Sequence, residues 1–413
     1  MRKETTEPRA TSRPAWADLE HWVRGKVQEF VQGMLEEEVT EFLGRRRSER
    51  RPVVDGRTGY RNGYGKPRKL TLTSGTITLR RPRLRELEAR FVSRVVPLLA
   101  RTSPAVSALI PELYLHGLAE GDFDLALRGL LGEEAPLSAS TVARLKERWH
   151  GELAAWRERP LGELEVVYLW CDGVYVKAGL EREKAAVLVV LAALSDGRKV
   201  VLAVTPGYRE STASWSDVLR DLNRRGMKCP RVVVGDGNLG LWAALRNVYP
   251  EAAEQRCWNH KIVNVLDKVP KRQQEAAKGL VCAIPYAGTR QEAERQKVQF
   301  LAWCRQRGHE AAATTLERDW EQLVTFYQFP KEHWKHLRTT NPVESPFAAL
   351  RLRTDAAKRY RRVDRATAVI WKMLTIAERR FHRIWAADLL HDVYQGARYV
   401  DGTKVGQAEE VAA

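Results

Sequence analysis

The spacing of apolar residues predicts a helical beginning to the chain. Over residues 17–44, apolar positions recur every three or four residues, which predicts one long amphipathic helix ending at Gly44. Residues 51–68 are rich in Gly, Arg and Tyr and are interpreted as a loop. Two alternating runs around a Ser-Gly pair predict a β-hairpin over 69–82.

Helical spacing returns over residues 105–150. The Ser-rich segment 137–141 opens a helix that carries Arg144 and Lys146, an order typical of a helix-turn-helix recognition element. Many surface helices also begin with a serine cap, so an ordinary surface helix remains an alternative.

The middle of the chain changes to short runs rich in β-branched residues. These runs are 166–172, 186–194, 199–204 and 231–235. A helical stretch at 212–225 precedes the last run, so the pattern predicts a mixed α/β sheet. Residues 261–335 are interpreted as helices, and two further helices are expected from Asn341 through Arg362 and over about 365–388.

Composition restricts the class of protein. The chain has 413 residues, of which 44% are hydrophobic and 29% charged, so we expect a globular protein of two to four domains. No apolar run approaches the ~18 residues that a membrane span needs, and the N-terminus lacks a secretory apolar region. Five dispersed cysteines favour a reducing compartment, hence the cytoplasm.

Positive charge is concentrated in two segments. The net charge is +17; residues 45–90 carry a net +11 and residues 351–383 a net +8, so the remainder is nearly neutral. Clusters of this kind are typical of phosphate binding and favour a nucleic-acid partner. Solvated surfaces are the ordinary alternative, and an anionic membrane is disfavoured because residues 45–69 lack an apolar helical face.

Three acidic residues stand out by context. Asp172 is expected to close one apolar strand, Asp236 closes another, and Glu344 opens a helix. Three converging carboxylates can hold two Mg²⁺ ions about 3.5–4 Å apart for in-line displacement at phosphorus. Structural alternatives are a hairpin turn at Asp172, a helix-capping turn at Asp236, and a capping box formed by Asn341 and Glu344.

In these acids and in several motifs around them, the sequence resembles the bacterial Mutator-type insertion-sequence transposases. The motifs that carry the resemblance are GYRNGYG (59–65), TSGTITLRRPRLR (73–85), CDG (171–173), GDGNLGLW (235–242), CWNH (257–260) and RTTNPVES (338–345). The resemblance covers most of residues 20–385. It implies that Asp172, Asp236 and Glu344 form the metal-binding triad of a DDE transposase.

The resemblance also implies a fold: an α/β ribonuclease-H-like catalytic domain interrupted by an all-helical insertion and preceded by helical DNA-binding and dimerisation regions. Residues 1–98 would hold the first helix, the basic loop and the hairpin, and residues 99–160 would form a helix-turn-helix-like region. The catalytic domain would consist of residues 161–260 and 338–388, separated by the insertion at 261–337. Residues 389–413 would form a C-terminal tail. The 108 residues between Asp236 and Glu344 leave room for such an insertion.

Cys257 and His260 have the spacing of a zinc half-site. With His333 and His336 they could form a structural zinc site, but their helical context disfavours it. The resemblance implies instead that Cys257 and His260 support the catalytic core. Trp258, Trp320 and Trp334 could stack on unpaired bases, although core packing is the simpler interpretation.

The implied function is a DNA transposase with two Mg²⁺ ions, for which Mn²⁺ is expected to substitute. Its partners would be double-stranded DNA, namely the terminal inverted repeats and the target, and a second copy of the chain in a homodimer or larger assembly. We expect no membrane partner. We expect the protein to associate with the bacterial nucleoid. The basic residues expected to contact DNA are Arg45, Arg46, Arg47, Arg57, Arg61, Lys66, Arg68, Lys69, Arg144, Lys146, Arg338, Lys358, Arg359, Arg361 and Arg362. A non-catalytic DNA-binding regulator and a nuclease that cuts without joining are the rival functions.

Overall fold

Tertiary contacts divide the chain into two units, residues 1–145 and 146–413. The computed structural model describes residues 16–49, 59–97, 101–118, 126–128, 131, 139–178, 184–207, 210–357 and 360–406. Across these ranges, none of the helices combines the length and the apolar character that crossing a bilayer requires.

The first unit packs a long helix on a hairpin. Its elements are α1 (Leu19–Leu43), β1 (Tyr60–Tyr64), β2 (Arg68–Leu72), β3 (Gly75–Leu79), β4 (Pro82–Arg85) and α2 (Pro104–Leu115), and α3 (Ala139–Arg157) crosses into the second unit. The predicted first helix is confirmed, and Gly44 ends it in the left-handed conformation. The predicted hairpin is confirmed by the antiparallel pairing of β2 with β3. Leu35, Ile77 and Leu79 bury the contact between α1 and the hairpin.

The loop interpretation of residues 51–68 is wrong for its second half. Residues Tyr60–Tyr64 form β1, which pairs antiparallel with β4. The partner strand lies about twenty residues further along the chain, so local composition did not indicate the pairing. Residues 50–58 lie outside the described part of the chain, as do residues 119–125, 129–130 and 132–138 of the stretch expected to be helical over 105–150.

The second unit is built on a five-stranded mixed sheet. Its strands are β5 (Val166–Val176), β6 (Ala185–Leu194), β7 (Lys199–Gly207), β8 (Val232–Gly235) and β9 (Ala253–Arg256), in the spatial order β7-β6-β5-β8-β9. The first three are antiparallel, whereas β8 is parallel to both β5 and β9. All four predicted strands are confirmed. The strand β9 was not predicted, because its sequence Ala-Glu-Gln-Arg has no run of apolar or β-branched residues.

Two helices cover one face of this sheet. They are α4 (Thr212–Arg224) and α5 (Leu239–Val248). Trp215 and Leu219 of α4 and Leu241 of α5 belong to one buried apolar cluster with Leu188 and Val190 of β6. The predicted helix at 212–225 is confirmed; it begins after Ser211, whose Oγ accepts a hydrogen bond of 3.2 Å from the Ser214 backbone N–H.

Residues 258–337 are all described and contain helices but no strand. The α-helices are α6 (Trp258–Leu266), α7 (Gln274–Ala283), α8 (Arg290–Gln306), α9 (Glu310–Glu317), α10 (Trp320–Leu323) and α11 (Trp334–Leu337). A buried charge network ties these helices to the sheet. Asp319, before α10, accepts hydrogen bonds from Lys261 on α6 and from Arg256 at the end of β9.

We expect Asp319→Ala to destabilise the protein by about 3–5 kcal/mol, because it leaves two buried cations without their shared carboxylate. The Lys261 side chain is fully buried and the Arg256 side chain nearly so. Denaturant unfolding checks this value. Glu321→Ala is the matched control, since the Glu321 carboxylate is 72% exposed in its pair with Arg290 and should cost at most about 1 kcal/mol. Equal effects of the two substitutions would contradict the expectation.

Further helices and a short hairpin complete the described chain. They are α12 (Asn341–Glu344), α13 (Phe347–Ala356), α14 (Val363–Glu378), α15 (Asp388–Tyr394), β10 (Tyr399–Val400) and β11 (Thr403–Lys404). The single helix expected from Asn341 through Arg362 is wrong, because Pro346 has no N–H with which to continue the first helix. The helix expected over 365–388 ends at Glu378, where the apolar face gives way to the basic sequence after it.

Candidate active site

Asp172 lies inside a strand rather than at its end. The strand β5 continues to Val176 and pairs with β6 throughout, so the expected strand end and the alternative hairpin turn at Asp172 are both wrong. The alternating burial of Val174 and Val176 supports this extension. The parallel pairing with β8 stops one residue earlier, at Cys171 opposite Gly235. This register places Asp172 directly beside Asp236.

Asp236 follows the last residue of β8, as expected. Its Oδ1 accepts a hydrogen bond of 2.9 Å from the backbone N–H of Asn238, and the Asn238 side chain caps α5. The capping-turn alternative is therefore confirmed, and it is compatible with a carboxylate that faces Asp172. Gly237 has φ +94°, and a Cβ there would overlap the Arg256 guanidinium. Both the backbone conformation and the packing require glycine at this position.

Glu344 is the last residue of the short helix α12, which packs on β5 and β6. The alternative of a capping box is wrong: the N-cap is Thr340 rather than Asn341, and no side chain caps the helix. The backbone amides of Val343 and Glu344 instead donate to the Thr340 carbonyl. The Thr340 hydroxyl donates to the Glu344 carboxylate, which orients it.

The pKa of Asp172 reflects its burial and its acidic neighbours. Asp172 is only 9% exposed, and this burial raises its pKa to about 7. A hydrogen bond from the Gly173 backbone N–H opposes the shift, whereas the negative charges of Asp236, Glu344 and Glu210 reinforce it. Asp236 and Glu344 therefore lie within electrostatic range of Asp172. Glu210 is a further acid in this range, which the sequence pattern did not indicate.

Cys257 and His260 lie beside Glu344. One ligand atom from each of these three side chains falls within 4.8 Å of the others, and His260 Nδ1 is 3.9 Å from Glu344 Oε1. The Cys257 sulfur accepts a hydrogen bond of 3.3 Å from the Thr340 backbone N–H and lies 3.2 Å from the Thr340 hydroxyl oxygen. Interaction with the Cys257 side chain, opposed by burial, raises the pKa of His260 to about 9. Burial alone would raise the pKa of Cys257, but hydrogen bonding with His260 and Thr340 lowers it.

The alternative zinc site is wrong, because the two further histidines that it needs do not lie beside Cys257 and His260. In the part of the chain that the structure describes, the potential ligands near Cys257 and His260 include Glu344 but neither His333 nor His336. The buried His333 contacts the Tyr168 hydroxyl through Nδ1 at 2.7 Å. His336 Nε2 accepts a hydrogen bond of 3.2 Å from the Trp385 backbone N–H.

The tryptophans considered for base stacking are buried. Trp258, Trp320 and Trp334 are core residues, so the stacking interpretation is wrong for them and the packing interpretation is confirmed. The Arg338 guanidinium lies over the Tyr286 ring at 4.8 Å and over the Phe326 ring at 5.4 Å. Burial lowers the pKa of Arg338. Its predicted phosphate contact would have to form from this half-buried position.

The other basic residues differ in exposure. Arg46, Arg47, Lys66, Lys69, Arg144, Arg361 and Arg362 are exposed, whereas Arg45, Arg68 and Lys146 are partly buried. Arg61 points inward, donating to the Thr40 hydroxyl at 2.8 Å and to the Arg45 carbonyl at 3.2 Å. Arg57, Lys358 and Arg359 lie outside the described residues. Contact with DNA remains a prediction for all of them.

Comparison with known proteins gives a consistent result. The model of the family described as "Transposase, Mutator family" matches residues 3–385. The transposase for insertion sequence element IS6120 from Mycolicibacterium smegmatis is 42% identical over 299 residues, covering 72% of this chain and 92% of that protein. The transposase for IST2 from Acidithiobacillus ferrooxidans is 38% identical over 67% of this chain and 94% of its own length. The transposase for ISRM5 from Rhizobium meliloti is 32% identical over 80% of this chain and 81% of its own length.

Proposed function

The chain belongs to the Mutator family of transposases, and we propose that it cuts DNA at the terminal inverted repeats of an insertion sequence and joins the freed 3′-OH to target DNA. The observation that carries this proposal is the convergence of Asp172, Asp236 and Glu344 at one edge of the sheet. The acids come from two adjacent strands and a helix that packs on one of them.

The sheet supports the expected ribonuclease-H-like fold of the catalytic domain. Three antiparallel strands are followed by two parallel ones, in the order 3-2-1-4-5 when the strands are numbered from β5. The helices between residues 258 and 337 separate the second acid from the third, which supports the proposed helical insertion. A helical insertion of this kind leaves the sheet continuous and brings Glu344 back to it.

The side chains fit divalent magnesium. The cluster offers carboxylate oxygens, which are the ligands that Mg²⁺ prefers. Burial, reinforced by the neighbouring negative charges, raises the pKa of Asp172, and a bound cation would compensate those charges. Asp172, Asp236 and Glu344 would hold two Mg²⁺ ions, or Mn²⁺ in their place. When bound, such ions generate a nucleophile from water and stabilise the leaving oxygen at phosphorus.

The protein's own contribution is to hold these carboxylates in place. Asp236 is fixed by the backbone N–H of Asn238, and Asp172 by that of Gly173 at 2.7 Å. Glu344 is oriented by the Thr340 hydroxyl, which also contacts Cys257. We propose that the sequence-predicted support from Cys257 and His260 acts through this contact.

DNA binding and assembly are the remaining parts of the proposal. The exposed basic residues of 45–90 and 351–383 are suited to grip backbone phosphates. Two ends must be joined, so the active form is at least a dimer. We propose α1 as the contact between copies, because Trp22 and Phe30 on it are large apolar side chains exposed to solvent.

Labelled duplexes copied from the inverted repeats that flank the gene test the function. We expect the wild-type chain to nick and join them in Mg²⁺ or Mn²⁺ and to bind them without reaction in EDTA. Binding without cleavage under any metal would favour a DNA-binding regulator. Cleavage without any joining would favour a simple nuclease. Either result would overturn the proposed reaction.

A further inference from the structure

The strands β1 and β4 form a two-stranded antiparallel ribbon in the first unit of the chain. Tyr60 pairs with Arg85, and Arg61 pairs with Leu84. Residues directly opposite each other in such a pair project from the same face, and neighbours along a strand alternate between the faces. The ribbon therefore has one face with Arg61 and another with Tyr60 and Arg85.

The two faces of the ribbon differ in burial. Arg61 is partly buried and donates to the Thr40 hydroxyl of α1 at 2.8 Å, so its face is turned towards that helix. Arg83 shares the opposite face with Arg85, because the two residues are separated by one position on β4. Tyr60, Arg83 and Arg85 are all exposed. This outer face presents one aromatic ring and two guanidinium groups to solvent.

No acidic side chain is paired with the arginines of the outer face. Residues 60–85 contain eight Lys/Arg and no Asp/Glu. Within the described part of the chain, neither Arg83 nor Arg85 makes a side-chain hydrogen bond or an ion pair. The donors of both guanidinium groups are therefore available to a polyanionic partner, and double-stranded DNA has the complementary charge.

The shape of the ribbon fits the major groove of double-stranded DNA. That groove is about 12 Å wide and admits a two-stranded β-ribbon. Arginine is suited to reading guanine there, since its planar fork donates to O6 and N7 together. Residues two apart on a strand are separated by about 7 Å, and stacked bases by about 3.4 Å. Arg83 and Arg85 are thus spaced to reach base pairs about two steps apart.

We propose that the ribbon of β1 and β4 enters the major groove of the terminal inverted repeat and that Arg83 and Arg85 read base edges there. This inference rests on the proposed function and names the element that recognises the DNA end. The ribbon selects the sequence, whereas the other basic residues contact phosphates and supply affinity that does not depend on sequence.

Fluorescence anisotropy of the full chain in EDTA, where no cleavage is expected, measures this selection. Binding to an inverted-repeat duplex is compared with binding to a scrambled duplex of the same length and composition, at one salt concentration. We expect Arg83→Ala and Arg85→Ala each to reduce the preference for the repeat about ten-fold or more. Arg94→Ala is the matched control, since Arg94 is an 83% exposed arginine of the same unit that pairs with Glu41, and it should bind like the wild type.

Substitution by lysine separates base reading from simple charge. The double variant Arg83→Lys, Arg85→Lys keeps both charges but loses the two planar forks. It should keep its affinity for the scrambled duplex and lose its preference for the repeat. Methylation by dimethyl sulfate locates the contact, because guanine N7 lies in the major groove. We expect the wild type to protect guanines of the repeat and the double lysine variant to restore their methylation.

The outcomes separate this inference from the proposed function. Equal weakening on both duplexes would show that the ribbon contacts phosphates only. A preference that survives both alanine substitutions would remove the ribbon from recognition. Either result overturns the inference and leaves the proposed transposase intact. A wild-type chain that binds the repeat no better than the scrambled duplex would instead overturn the proposed recognition of the repeats. Circular dichroism confirms that each variant is folded.

Discussion

Replacing Asp236 by asparagine is expected to reduce cleavage of an inverted-repeat duplex at least about 1000-fold, equivalent to about 4 kcal/mol of transition-state stabilisation. Asparagine keeps the size of the side chain, and its carbonyl oxygen can still accept the hydrogen bond from the Asn238 backbone N–H. The substitution therefore removes one negative charge from the proposed cation site with little change of shape. Single-turnover cleavage rates in Mg²⁺ and Mn²⁺ give the size of the loss.

DNA affinity should stay within about two-fold of the wild type in the same variant, when measured by fluorescence anisotropy at a fixed salt concentration, because the basic clusters are unchanged. The matched control is Asp267→Asn, at an exposed aspartate that caps the end of α6, and it should cleave normally. The same comparison applies to Asp172→Asn and Glu344→Gln. Cleavage that survives any one of these changes would remove that carboxylate from the triad.

In the metal-free protein at pH 8, Asp172→Asn is expected to raise stability by up to about 4 kcal/mol. The pKa of Asp172 is about 7 in the folded chain, against 3.8 for the free side chain. A group whose pKa is raised by folding stabilises the folded chain fully at a pH below its pKa in the unfolded chain. That contribution is lost as the pH rises through the pKa in the folded chain, so the free energy of unfolding of the wild type falls between about pH 4 and pH 7.

Urea unfolding in EDTA at pH 4.5, 6 and 8 measures this difference between variant and wild type. The gain should be largest at pH 8 and should shrink towards pH 4.5. Addition of MnCl₂ at pH 8 should reverse the order, because the wild type gains binding energy that the variant cannot. A gain that is independent of pH would show that the Asp172 charge is not its cause; Asp267→Asn should show no gain at any pH.

The sequence was most informative where periodicity and local chemistry agree. The first helix ends at Gly44 as predicted, because glycine tolerates the left-handed conformation that closes a helix. The buried strands stand out as runs of β-branched residues, and the motifs direct attention to Asp172, Asp236 and Glu344. These features follow from residues that are near one another in sequence.

Features that depend on distant partners were not predictable in the same way. Asp172 was expected at a strand end, but pairing with β6 extends β5 past it to Val176. Glu210 precedes a predicted helix and resembles any acidic residue near a helix start. Only the fold brings it to Tyr175 and Asn238. The strand β1 was likewise taken for a loop because its partner β4 is remote in sequence.

The distribution of the acids along the chain has a consequence for biosynthesis. Asp172 and Asp236 belong to neighbouring strands of one sheet, so a nascent chain that has emerged as far as β9 already contains both. Glu344 is translated more than a hundred residues after Asp236, and α12 contacts β5 only after the intervening helices have been made. A ribosome that stalls within residues 260–337 would therefore release a fragment with two of the three carboxylates. The order of translation keeps the proposed site incomplete until residue 344 has been made.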